Sequence, residues 1–384
     1  MELTDGIHLA YCTNIHRGET WDETFSGLQQ HTLRVKQRVC ADRPYAIGLR
    51  LGHQAAEELR HREGALDGFR RWMDEHGCYV FTINGFPYGR FHGGRVKEQV
   101  YVPDWSTTER LEYTKLLFDL LAEMIPAGVE GSVSTLPGTF KEFVNDGDRV
   151  PAIARNLRAC GEHIEGLSDR VGQSFHLGLE PEPLGLFETS EETLGFFAEH
   201  LQGERLREFI GVNYDTCHLA VEYEEPREAL ARLSGAGIRI SKLHLSSALT
   251  LHPSGAALER LRDFQEDTYL HQVVVRDGGQ PLRRFRDLPD ALALPESERG
   301  EEWRVHFHIP LHSGPEAVFG TTADHLAGTL DVLAGDRDLC KHLEMETYTW
   351  EVMPQEMHSE DVVDQLEREY AWTLGEMRAR QLAV

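Results

Sequence analysis

The chain has 384 residues, 40% of them hydrophobic, with 39 Lys and Arg against 64 Asp and Glu for a formal charge of -25. That length accommodates one large domain or two ordinary ones with an ample core. A field of that sign repels nucleic acid and anionic membrane surfaces and favours a small neutral or cationic ligand or a divalent cation. Six scattered cysteines (12, 40, 78, 160, 217 and 340) form no Cys-x-x-Cys pair, and no apolar run approaches membrane-spanning length. The first residues carry neither a basic nor an apolar signal region, so the expected setting is the cytoplasm.

In chain order, apolar runs predict strands over 7–12, 45–51, 78–83 and 131–136. Helices are expected from near Trp21, over 55–75, after a capping box of Ser106 and Glu109, and through 152–160. The second half repeats the rhythm. Strands end at Glu180, Asp215 and His244, a last one covers 341–348, and helices begin near Ser190, run through 228–233 and run from Ser359 through Glu376. Eight alternations of strand and helix predict a single (β/α)8 TIM barrel spanning 1–384. One segment, 250–310, breaks the rhythm between strands seven and eight. It contains a hairpin turned at Asp277-Gly278 and one further strand over 303–310. An insertion after a strand's C-terminal end lies over the barrel mouth, as a lid does.

Side chains at the C-terminal ends of barrel strands converge on one point. Glu180, Asp215, His244 and Glu346 end strands five to eight, and three carboxylates with one imidazole suit Mn, Co, Mg or Zn. Without a cation the carboxylates would repel one another. Further candidates surround them. Glu182 follows Glu180 across a proline, and Glu344 shares a face with Glu346, which is nearer the strand end and favoured as ligand. His218 either ligates a metal or hydrogen-bonds a substrate hydroxyl. His306 and His308 alternate onto one face of the inserted strand and are either further ligands or satisfied core histidines. Trp21, Asn84, Phe86 and Tyr88 on the early loops are candidate substrate contacts. Lys242 reads as a cation beside the acidic cluster rather than a Schiff-base lysine. The chain has no Gly-x-Gly-x-x-Gly after a strand, no P-loop and no Gly-x-Ser-x-Gly elbow.

At Leu179-Glu-Pro181, Asp215-Thr-Cys-His218, Lys242-Leu-His-Leu245 and Leu343-Glu-Met-Glu-Thr347 the chain resembles the xylose isomerase-like TIM-barrel superfamily, which includes ketose 3-epimerases, inosose dehydratases and endonuclease IV. The resemblance implies that Glu180, Asp215, His244 and Glu346 bind one divalent metal and that Glu180 and Glu346 exchange protons with a sugar. With His306-Phe-His-Ile-Pro310 and Glu346-Thr-Tyr-Thr-Trp350 included, the pattern is most similar to the EboE-type proteins of metabolite traffic. The endonuclease branch is disfavoured, because Ile83-Asn-Gly-Phe86 and Thr135-Leu-Pro-Gly138 lack the early histidines its zinc ions require. The expectation is an isomerase or epimerase acting on a hydroxylated small molecule. One glutamate would take the proton beside a carbonyl, the cation would stabilise the enediolate, and the other glutamate would return the proton. A non-catalytic metabolite carrier and a hydrolase with a second metal on His218, His306 and His308 are the alternatives.

Overall fold

The apolar runs become parallel strands in a computed structural model that describes residues 1–145, 147–314, 318–354 and 361–384. They are β1 (His8–Tyr11), β2 (Tyr45–Arg50), β3 (Cys78–Asn84), β4 (Gly131–Thr135), β5 (Phe175–Leu179), β6 (Ile210–Asp215) and β7 (Ile240–Leu245). Between β7 and the last barrel strand lie β8 (Leu249–Leu251), β9 (Val273–Arg276), β10 (Arg283–Phe285), β11 (Glu302–Val305) and β12 (Gly320–Thr321), and the barrel strand itself is β13 (His342–Met345). Among the described residues the eight-stranded sheet runs β1-β13-β7-β6-β5-β4-β3-β2, and a parallel bridge between Cys12 and Gly48 brings its two edges together. The result is a nearly closed α/β barrel. Its strands are buried along their whole length, which is why they read as mainly apolar runs.

Closure needs a glycine at one place. The β2–β3 register shifts between Ile47 and Gly48, and a Cβ on Gly48 would stand 2.1 Å from Glu344 Oε1 and 2.6 Å from the Tyr11 carbonyl. The missing side chain leaves room for a carboxylate inside the barrel.

Several helices differ from their sequence expectation. The helix expected over 55–75 is two, His53–His61 and Ala65–His76, because Gly64 adopts a left-handed conformation at φ 72°. The capping box of Ser106 and Glu109 is replaced by Thr107, whose hydroxyl accepts from the Arg110 amide, while Ser106 donates to Asp104. The helix of 152–160 extends over Arg149–Val171. The last helix runs Val362–Ala379, and its expected start at Ser359 lies outside the described residues.

The interruption after β7 is a second sheet, in the order β10-β9-β11-β8-β12, so it reaches from Leu249 to Thr321 rather than over 250–310. The expected hairpin pairs β9 with β10, whereas the strand expected over 303–310 stops at Val305. This sheet has its own core, in which Leu251, Leu261, Phe264, Val275, Trp303 and Phe307 pack together. It is pinned to the barrel loops by Lys97 and Asp287 at 2.5 Å and by Arg284 and Glu222 at 2.9 Å.

Two buried histidines away from the barrel mouth set an acid limit. His8 on β1 accepts or donates at Tyr79 Oη (2.8 Å), and His325 in the helix Ala323–Gly335 does so at Tyr214 Oη (3.0 Å). Burial lowers both to about 4. Their folded values lie below the unfolded value near 6.5, so the stability they confer is complete above pH 6.5 and is lost as pH falls toward 4. At 1.36 kcal/mol per unit the loss is about 3 kcal/mol for each. Urea unfolding at pH 7 and pH 4.5 should show this, and His325→Gln should flatten the acid limb. An unchanged limb in that variant would reject the assignment.

Candidate metal centre

β5, β6, β7 and β13 each deliver one donor to the same end of the barrel. Glu180 follows the last residue of β5, Asp215 closes β6, His244 is next to last in β7 and Glu346 follows β13. The parallel register pairs His244 with Asp215 on one side and with Glu344 on the other, which fixes the layer. Asp215 also starts the helix Thr216–Val221. Its Oδ1 accepts from the Cys217 and His218 amides at 2.7 and 3.0 Å and from the Ser246 hydroxyl at 2.6 Å. The Asp-Thr-Cys-His run therefore caps a helix and, in the same turn, swings His218 toward the mouth.

Glu180, Asp215, His244 and Glu346 each place one ligand atom within 4.8 Å of all the others, and all four are buried. His244 Nδ1 stands 3.1 Å from Glu180 Oε1, 3.3 Å from Glu346 Oε2 and 3.6 Å from Asp215 Oδ2. Burial opposes a charge on His244, but Glu346, Glu180 and Asp215 overcome it and raise the imidazole well above its usual range. Burial likewise opposes a charge on Asp215, and His218, His244 and His308 hold it well below the usual range. Asp215 Oδ2 makes no hydrogen bond although it is buried. A buried carboxylate oxygen without a donor, in a ring of two more carboxylates and an imidazole, fits a divalent cation.

The surroundings hold these donors in place. Asn14 and Asn84 each donate to Glu346 Oε1, at 2.8 and 3.1 Å, leaving Oε2 toward the centre. Beneath the ring, His244 Nε2 donates to Glu344 Oε2 at 2.9 Å, and Lys242 donates to the same oxygen at 2.6 Å and to Ser134 Oγ at 3.1 Å. Lys242 is thus paired with a carboxylate inside the barrel.

A second group of nitrogens adjoins the first. His218 Nδ1 donates to the Pro181 carbonyl at 3.2 Å, His306 Nδ1 to Gln272 Oε1 at 2.7 Å and His308 Nδ1 to the Glu346 carbonyl at 3.0 Å. Each ring thus turns Nε2 toward the others, and His308 Nε2 is 3.2 Å from His306 Nε2 and 3.3 Å from His218 Nε2. His306 and His308 reach this place from the irregular segment beyond β11 and not by strand alternation. Asp215 groups with His218 and His308, and Glu182 with His218 and His306, at metal-ligand separations.

Above both groups lies a small pocket of about 70 Å³. Asn84, Phe86, Glu180, Glu182, His218, His306 and Glu346 line it, roofed by Tyr269, Leu270 and Gln272 of the inserted segment. Glu182 Oε1 has no partner, and burial raises its carboxyl well above the usual range. Trp21 and Tyr88 do not line the pocket. Trp21 packs on Phe25 and Phe69, and Tyr88 stacks on His53 at 4.5 Å, so both hold helices together. Sequence reasoning passed over Asn14, Ser246, Gln272 and Tyr348. Asn14 had a signal, since it follows the end of the first strand as the ligands follow theirs.

No family model matches the chain, and no curated protein matches it. Solved structures do match over nearly the whole length. A xylose isomerase-like TIM barrel protein from Mycobacterium smegmatis in complex with magnesium is 12% identical, with a TM-score of 0.58 over 99% of this chain and 100% of that one. An L-ribulose 3-epimerase is 11% identical, with a TM-score of 0.53 over 97% and 95%. The IOLI protein with a binding zinc atom is 12% identical, with a TM-score of 0.50 over 97% and 98%. This chain has the fold of the xylose isomerase-like TIM barrels. No helix among the described residues is long and apolar enough to cross a membrane.

Proposed function

We propose that the protein is a divalent-metal-dependent isomerase or epimerase of a sugar or polyol. One observation carries the reading, the convergence of Glu180, Asp215, His244 and Glu346 within 4.8 Å beside a pocket that Glu180 and Glu346 also line. Those four residues would hold the cation. When bound, it would act as a Lewis acid toward the substrate's oxygen atoms. Glu180 and Glu346 flank the pocket floor and are the proton carriers, one taking the proton beside a carbonyl and the other returning it. Asn14 and Asn84 orient the Glu346 carboxylate for that work. Glu182, kept neutral by burial, can donate to a substrate oxygen. The inserted segment, through Tyr269, Leu270 and Gln272, serves as a lid that excludes water. The likeness to an L-ribulose 3-epimerase and a D-tagatose 3-epimerase-like protein supports a small hydroxylated substrate. The His306-Phe-His-Ile-Pro310 run, whose two histidines face the site, supports a place among the EboE-type metabolite-traffic proteins.

The test is exchange of the proton beside the carbonyl with deuterated solvent, followed by NMR over a panel of ketoses and cyclitols with Mn²⁺-loaded protein. Exchange should occur with at least one of them and fall by about 10²–10⁴ in Glu180→Gln and in Glu346→Gln. Sugar binding without exchange would sink the catalytic reading and leave a carrier.

Metal-dependent hydrolysis is a second reading, favoured by the three converging Nε2 atoms of His218, His306 and His308 beside Asp215. It requires a second cation, and two equivalents of metal, one of them lost in His308→Ala, would support it.

A further inference from the structure

The floor of the barrel, at the N-terminal ends of the strands, holds a cluster that the mouth chemistry does not use. His176 is the second residue of β5, His342 the first of β13, and Glu130 immediately precedes β4. The two imidazole rings are buried, with centroids 5.1 Å apart. Serine hydroxyls bond the Nδ1 atom of each. Ser241 does so for His176, and Ser132 does so for His342 at 2.7 Å. The other nitrogen of each ring, Nε2, is buried and has no hydrogen-bond partner. His176 Nε2 stands 3.5 Å from Glu130 Oε2, and the three residues place one ligand atom each within 4.8 Å of the others.

Both nitrogens are costly to bury, because His342 Nε2 gives up its hydrogen bonds to water without a replacement and His176 Nε2 has only the Glu130 carboxylate at 3.5 Å. The hydroxyls on Nδ1 fix ring orientation in the way the outer partners of metal-bound histidines do. The cluster opens into a cleft lined also by Arg239, Ser241, Asp338 and Lys341, which gives a cation a way in and water a place as a fourth ligand. Arg239 already contacts the Glu130 carboxylate and is partly exposed, so a cation would share that carboxylate with it or displace it.

We propose that His176 Nε2, His342 Nε2 and Glu130 form a second, separate binding site for a borderline divalent cation of the Zn²⁺ class. Two imidazoles, one carboxylate and a water make a tetrahedral set that Zn²⁺ favours. β5 and β13 are not neighbours in the sheet, since β6 and β7 lie between them. A metal here therefore fastens opposite walls of the barrel floor. Its role is to stabilise the fold, and it makes no claim on the reaction at the mouth.

The test is an anomalous difference map, recorded at the zinc absorption edge from crystals of the full chain grown with Zn²⁺ alone. A peak bonded to both Nε2 atoms is the expected result. Its absence, whatever the occupancy at the mouth, overturns the proposal, so failure here is distinguishable from failure of the mouth site. In solution, equilibrium dialysis with Zn²⁺ should show one equivalent fewer bound by a His176→Gln/His342→Gln double variant, and Zn²⁺ should raise the melting temperature of the wild type. Should the double variant not fold, Glu130→Gln, at the cleft edge, serves in its place and should weaken the same equivalent by more than the roughly 10–100-fold typical of an outer partner. Unchanged zinc binding in these variants overturns the proposal as well.

Discussion

Protein purified without added metal or chelator is expected to carry a divalent metal at the barrel mouth, and Asp215→Asn and His244→Ala are expected to lose it. The argument begins with Asp215. Its Oδ1 is used up by the Cys217 and His218 amides and the Ser246 hydroxyl, while Oδ2 is buried without a donor. Asparagine at this position presents either an amide group or a weaker oxygen to the centre, so affinity should fall by more than the roughly 10–100-fold typical of an outer partner. Ser246→Ala removes only such an outer partner and should fall inside that range. The sign of the pH dependence follows from His244. In the metal-free cluster it retains a proton to a pH well above the usual one, because Glu346, Glu180 and Asp215 surround it. A cation must displace that proton, so affinity rises with pH and binding releases a proton. Elemental analysis of the purified protein and calorimetry in buffers of different ionisation enthalpy measure both. A wild type that takes up no metal at the mouth after reconstitution would remove the basis of the proposed chemistry.

The strand ends were legible because barrel strands, buried on both faces, stand out as mainly apolar runs, and those of β5 and β6 stop at a carboxylate. Phe175 to Glu180 and Ile210 to Asp215 are such runs, and the donors were found by asking what each run ended in. Glu344 was legible by alternation with Glu346, but not that Gly48 on the opposite edge makes the room for it, since that closeness exists only once the barrel closes. Helix boundaries were less legible. Ser106 and Thr107 both offer a hydroxyl at a start, and Asp104 takes the first of them, a competition no local pattern reveals. Trp21 and Tyr88 were candidate contacts with loop packing equally open, because aromatic residues on early loops suit either a ligand or a neighbouring helix, and here Phe69 and His53 are the partners. His306 and His308 reach the site by a different route from the expected one. The strand that should have alternated them inward ends at Val305, and carbonyl partners at Gln272 and Glu346 orient the rings instead. The floor cluster of His176, His342 and Glu130 drew no attention in the sequence, because strand beginnings carry no expectation of chemistry in this fold.

Lys242→Met is expected to destabilise the protein by about 3–5 kcal/mol, the cost of leaving a buried charge without its partner. Lys242 and Glu344 are both fully buried, 2.6 Å apart, inside the barrel and directly below His244. Burial opposes the Glu344 charge, yet Lys242 and His244 together bring its carboxyl down to about 2. The folded value lies below the unfolded one, so this stabilisation is present above pH 4.5 and is lost as pH falls toward 2. In Lys242→Met the carboxylate keeps only His244, and urea unfolding at pH 7 should show the loss. The double variant Lys242→Met/Glu344→Gln should recover most of it, since a neutral pair of similar volume removes both desolvation penalties together. The two variants also separate stability from site geometry. Glu344 fixes the His244 ring through Nε2, so the recovered double variant should still bind metal about 10–100-fold more weakly than the wild type. A double variant that regained stability and metal affinity alike would show that the pair holds the barrel together without orienting the ligand above it. A single variant as stable as the wild type would mean that Glu344 is protonated in the folded protein, and the electrostatic account of the barrel interior would fail with it.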